Sequence, residues 1–274
     1  MPRATQIPSI LLLVACCGCW QAADAESSDP FGWDSDGDYS PPIDLDWVSI
    51  EGGGFPMGAN GMLWSEPVHA VVVPPFELSR SEVTVQQYRL CVQAGACTAP
   101  QLEEDACNWE RPDRDDHPIN CLDWQRARDF CSWAGGRLPS ESEWEYAARS
   151  EGRDFDYPWG DQQATCLRSV MDGQGAQGSG YGCGNLETWP VCSKPQGDSL
   201  QGLCDLAGNV AEWVQDWFHD GYEGHPIDGS AWESPPGSSR VIRGGGYKLS
   251  AYHLLAAKRN HLEPGPMSGV RCAR

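Results

Sequence analysis

Apolar and polar positions follow a helical period in three places along the chain. Between residues 84 and 94, Val85, Tyr88 and the pair Cys91–Val92 return every three to four positions, which puts them on one helix face, with Ser81 or Thr84 as the cap. Residues 124–134 repeat the pattern with Ala127, Phe130, Cys131 and Ala134. A third helix over 141–149 starts at Pro139-Ser140, and Glu143 stands three residues after Ser140, the spacing of a capping box. Residues 68–73 and 240–243 read as strands. Elsewhere no period is sustained, and Gly, Pro and Trp are abundant. Thirteen tryptophans imply large aromatic anchors between irregular segments. Gly52-Gly-Gly54 and Gly244-Gly-Gly246 lack the Lys-Ser/Thr or spaced-glycine pattern of phosphate loops, so they read as turns needing positive φ or close backbone approach.

The first apolar run, residues 7–15, follows a single positive charge, Arg3. It is far shorter than the ~20 residues that span a bilayer and reads as the core of a signal peptide. It ends in Leu13-Val14-Ala15-Cys16, which resembles a bacterial lipobox; residues 1–15 are then the signal peptide, with Cys16 as the lipidated residue. Two or more acyl chains give stable anchoring. The alternative is ordinary cleavage after Ala23 or Ala25. Eight acidic residues lie between Asp24 and Asp46, and no Lys or Arg occurs between Arg3 and Arg80. That composition makes residues 16–46 an acidic flexible tether. The expected location is the bacterial envelope, anchored at the outer membrane.

Charge and cysteines narrow the chemistry. A net charge of −20 argues against nucleic acid, which requires a basic face, and against anionic ligands. Of 13 cysteines, ten fall after the leader. An even number in an exported chain, with no Cys-x-x-Cys in the domain, points to disulfides rather than zinc. Serine, cysteine and phosphoryl-transfer signatures are missing.

Five blocks occur in order. They are Ala134-Gly-Gly-Arg-Leu-Pro-Ser-Glu-Ser-Glu-Trp-Glu-Tyr-Ala-Ala-Arg149, Tyr157-Pro-Trp-Gly160, Asp205-Leu-Ala-Gly-Asn-Val-Ala-Glu-Trp213, Arg240-Val-Ile-Arg-Gly-Gly-Gly-Tyr247 and Gly269-Val-Arg-Cys-Ala-Arg274. The set resembles the formylglycine-generating enzyme family, the sulfatase-modifying factor domain, over residues 47–274. The resemblance implies a mixed α/β fold with much irregular coil, related to C-type lectins and stapled by disulfides. It implies a bridge between Cys131 and Cys272; for the other eight the resemblance supplies no pairing and sequence alone leaves the connectivity open, with neighbour pairing as 91–97, 107–121, 166–183 and 192–204 the expectation.

The family's enzymes use copper held by two cysteines, two and seven residues after the aromatic of the Arg-x-Gly-Gly-Ser block. Those positions are Leu249 and Leu254, and the serine is Gly246. A leucine offers soft Cu(I) no thiolate, so no copper is expected, and His253 and His261 are the only metal-competent side chains nearby. A second branch binds iron through His-x-x-x-His-x-Glu, a spacing absent from these six histidines. The family's structural calcium maps to Asp205, Gly208, Val210 and Glu212, a hard-oxygen set; alternatively Glu212 pairs with a buried arginine such as Arg243. Beside the emptied cysteine positions, Tyr247, Leu249, Tyr252 and Leu254 are expected to make an apolar peptide groove. Three functions remain open: a binding protein for a peptide or protein of the envelope, an oxidoreductase with a rewired site, and a structural envelope component.

Overall fold

The computed structural model describes residues 42–100, 105–173, 180–261, 265 and 267–274. Regular elements are few and short. Strands β1 (Trp47–Ile50) and β4 (Phe76–Ser79) form an antiparallel pair, as do β2 (Gly53–Met57) and β3 (His69–Val73). Helices α1 (Val85–Gln93), α2 (Trp124–Trp133) and α3 (Glu141–Ala148) follow. The third sheet places β5 (Ala211–Trp217) between antiparallel β6 (Arg240–Arg243) and parallel β7 (Ser268–Gly269). No described helix is long and apolar enough to cross a membrane.

The helices begin where their capping residues stand. Thr84 and Ser140 each accept from the backbone three residues on, and Gln87 and Glu143 reach back to close both capping boxes. Helix α2 is capped by Asp123 instead. Val85, Tyr88 and Cys91 of α1 meet Ala127, Phe130 and Cys131 of α2 in one core cluster, so the predicted stripes are the buried faces. Helix α3 is different: all eight of its residues are buried, including Glu141, Glu143 and Glu145. A helix buried all round lies at the centre of the domain rather than on its surface.

The ordered domain starts before residue 47, because Leu45 is buried in the α1–α2 core and Ile43 packs beside it. Those residues leave the predicted tether and join the domain. All five predicted disulfide pairs are present: Cys91–Cys97, Cys107–Cys121, Cys131–Cys272, Cys166–Cys183 and Cys192–Cys204. The glycine turns also behave as read. At Gly52, φ is +73°, and a Cβ would stand 2.5 Å from the Val73 carbonyl oxygen. Cys16 and the leader lie outside the described residues.

Candidate functional site

The segment after β6 builds one wall of the site, and its course is set by a buried ionic network. Arg243 reaches from the end of β6 to Glu141 at 2.7 Å and Glu145 at 2.6 Å, both on α3. Arg259 bonds both oxygens of Glu141, at 2.7 and 2.8 Å, and Arg149 donates to Glu145 at 2.9 Å. Burial works against the Glu141 carboxylate, but Arg259 and Arg243 outweigh it and hold the group down at about 2. Arg243 also donates to the Ala256 carbonyl at 2.7 Å. Both ends of residues 243–259 are therefore tied to α3. Between them Gly245 sits at φ +74°, where a Cβ would lie 2.7 Å from the His253 carbonyl oxygen and 2.9 Å from Leu254 Cδ1.

This wall corrects the expected groove. Tyr247 and Leu254 are both 0% exposed. Leu254 packs with Tyr157, Ala164, Met171 and Ala207 in a small core of its own, with Leu249 partly buried against it. An isobutyl group at a former thiol position has only apolar contacts to make, so it closes into the interior instead of facing a ligand. Tyr252 remains 49% exposed on a 3-10 turn (Ala251–Leu254). It borders a cavity of about 460 Å³ lined by Gln163, Thr165, Cys166, Met171, Asp172 and Ser250 among others. Leu249 instead reaches a closed space of about 10 Å³ with His253 and Lys258, about the size of one water. Neither His253 nor His261 joins a metal-type cluster among the described residues. His253 lies 3.2 Å from the Ser250 hydroxyl, and His261 packs on Phe218.

Sequence reading did not single out the far wall of the cavity. Cys166 and Cys183 join residues that would otherwise be separate loops, and exposed apolar side chains flank the bridge: Leu167, Tyr181 and Leu186. Of the described exposed apolar side chains, Tyr252 is the one that lines the cavity. Among the described residues Asp172 is the one charged group lining the cavity, and it forms no ion pair with them. The even cysteine count was the one signal that pointed here.

The predicted calcium ligands occupy the turn before β5. Asp205 accepts the Cys192 N–H at 2.5 Å. Glu212 accepts from Arg271 at 2.7 and 2.8 Å and from Trp144 Nε1 at 2.6 Å. Its arginine partner is thus Arg271, not Arg243, which lies opposite it in the β5–β6 register but points its charge at α3. A third carboxylate, Glu82, accepts from the Val210 N–H at 2.9 Å and Asn209 Nδ2 at 2.7 Å. Burial, then repulsion from Asp205 and Glu212, pushes Glu82 well above the usual carboxylate range. Burial likewise raises Asp205 to about 6. The turn gathers hard oxygen donors of the kind a hard cation takes, although both oxygens of Glu212 are already held by Arg271. Among the described residues two groups of three side chains have metal-type spacing, and Glu212 belongs to neither. In one, Cys192 and Cys204 are joined to each other; in the other, with Asp216 and His225, Glu141 already serves two arginines.

Comparison with known proteins follows the same outline. Residues 43–274 match the profile of the sulfatase-modifying factor enzyme 1-like domain. The serine/threonine-protein kinase Pkn1 of Chlamydia trachomatis is 32% identical over 255 residues, covering 85% of this chain and 39% of that protein. The chain therefore spans about two fifths of the length of that kinase. The formylglycine-generating enzyme of Streptomyces coelicolor is 30% identical, with 82% of this chain and 88% of that enzyme covered. Among solved structures, PvdO from Pseudomonas aeruginosa matches with a TM-score of 0.69 at 28% identity, covering 83% of this chain and 93% of that one.

Proposed function

The chain belongs to the family of proteins with a sulfatase-modifying factor enzyme 1-like domain, and from that membership we propose an envelope-anchored lipoprotein whose domain binds a peptide or protein segment without turning it over. The observation that carries this reading is the fate of the two copper-ligand positions. Leu249 and Leu254 stand there, Leu254 is sealed in a core, and every described cysteine is tied in a disulfide. No thiolate is on hand among the described residues for soft Cu(I), whereas the adjoining cavity, lined by Ala164, Met171, Ala251 and the exposed Tyr252, offers apolar surface for side chains. The lipobox-like Leu13-Val14-Ala15-Cys16 and the acidic segment after it support display away from a membrane surface.

The turn 205–212 is proposed to hold a structural calcium through Asp205, Gly208, Val210 and Glu212, whose carboxylate and carbonyl oxygens are the hard donors such an ion takes. Incubation with a Cys-x-Pro-x-Arg peptide and copper tests the absence of turnover: loss of the cysteine sulfur from the peptide, read by mass, would overturn it. Panning of a random peptide library on the immobilised protein tests binding. Enrichment on the native chain that is lost in Tyr252→Asp supports it, and enrichment on neither, or equally on both, counts against this pocket. Fatty-acid labelling abolished by Cys16→Ser supports the anchor; labelling that persists in that variant does not.

A further inference from the structure

Solvent reaches the five disulfides unequally. Cys91–Cys97, Cys107–Cys121 and Cys131–Cys272 have both partners buried, and in Cys192–Cys204 the second cysteine is buried. Cys166–Cys183 is the one bridge among the described residues whose two cysteines are both partly exposed. Cys166 also lines the 460 Å³ cavity. Cys183 does not, and its sulfur lies 3.3 Å from the Ser169 carbonyl oxygen. Of the two cysteines, Cys166 is therefore the one on the cavity wall.

We propose that Cys166–Cys183 is an exchangeable disulfide, and that the cavity admits a thiol-bearing ligand to it. An incoming thiolate attacks Cys166 Sγ; the new sulfur–sulfur bond forms as the Cys166–Cys183 bond breaks, and Cys183 leaves as a thiolate that takes a proton from solvent. A second ligand thiolate then attacks the ligand sulfur of the mixed disulfide. That releases the oxidised ligand dimer and leaves Cys166 reduced. Two ligand thiols are oxidised and one protein disulfide is reduced, with no other oxidant required. Access governs such exchange, and among the described residues this is the bridge with both cysteines partly exposed and one of them on a cavity wall.

The cavity also selects among thiols. Among the described residues its one charged lining group is Asp172, which forms no ion pair with them, on a chain of net charge −20. A carboxylate there repels an anionic thiol and attracts one that carries a positive charge beside its sulfur. The ligand class is therefore a cationic thiol, for which cysteamine is the simplest probe. This inference uses the cavity of the proposed binding function but does not require that function.

The test exposes the native full chain to increasing cysteamine without denaturant, quenches with an alkylating reagent and maps the modified cysteines. Cys166 and Cys183 are expected to open at thiol concentrations about tenfold below any other pair. Early quenching should place the cysteamine adduct on Cys166. An anionic thiol, 2-mercaptoethanesulfonate, should react several-fold more slowly, and Asp172→Asn should shrink that difference without changing thermal stability. Opening of another bridge first, simultaneous opening of all five, or an adduct on Cys183 would overturn the proposal. Peptide binding measured on the unreduced sample reports separately. Binding with a sluggish bridge removes only the exchange, and exchange without binding removes only the binding function.

Discussion

Removing the bridge between Cys131 and Cys272 isolates the effect of chain closure from that of local contacts. Both cysteines are fully buried, with Cα atoms 5.4 Å apart and 141 residues of separation. In the chain-entropy description, a loop of that length stabilises the fold by about 5 kcal/mol. The 17- and 12-residue loops nested inside it shorten the free path to roughly 110 residues, which lowers the figure by only about 0.2 kcal/mol because the dependence is logarithmic. The native terminus should stay docked without the bridge. Arg271 bonds Glu212 and the carbonyls of Ser79, Arg80 and Cys204, and Ala273 exchanges two backbone bonds of 2.8 Å with Arg137. The double variant Cys131→Ala/Cys272→Ala is therefore expected to keep its near-ultraviolet spectrum and to lose about 3–5 kcal/mol in denaturant titration, with a larger m value. The control is Cys91→Ala/Cys97→Ala, whose loop of 6 residues gives about 2 kcal/mol by the same relation. A long-loop loss below about 1 kcal/mol, or one equal to the short-loop control, would refute the closure argument.

Stability should peak in mildly acid, calcium-free buffer. Glu141 is held at about 2 by Arg259 and Arg243 against burial, so its contribution of about 3 kcal/mol is complete above the ordinary carboxylate value and fades as pH falls from about 4.5 toward 2. Burial raises Asp216 to about 7 and Asp205 to about 6, so their protonated forms favour the fold and that advantage is lost as pH rises through 6 to 7. A Tm that climbs steadily from pH 5 to 8 would contradict this. Calcium should raise Tm more at pH 8 than at pH 5, since the ion and the proton compete for Asp205, and a chelator should reverse the gain; indifference to both, with no metal by elemental analysis, excludes the site. Arg271→Met should cost about 3–5 kcal/mol in denaturant titration, because Glu212 is left buried without its counter-charge; a cost below about 1 kcal/mol would mean that another cation already serves Glu212.

The local signals in the chain were sufficient wherever neighbours in sequence decide the outcome. Capping boxes at Thr84 and Ser140 and the stripes of α1 and α2 involve residues a few positions apart, and the sequence alone places them. The ordered blocks likewise fix the family, and with it the long-range bridge. Three matters required the tertiary structure. Glu212 stands opposite Arg243, but pairs with Arg271, because α3 brings Glu141 and Glu145 to Arg243 first. Tyr247 and Leu254 read as groove residues, yet the Gly245 turn folds both inward. Cys166 and Asp172 carried no motif, and only the closing of the 243–259 segment over them makes a cavity. Residue type and spacing determine which elements form and which bonds are chemically available. Which of several competent partners a buried charge meets, and which side of a chain faces solvent, depends on packing between segments far apart in sequence, where an unpaired charge or a void costs more than any local preference.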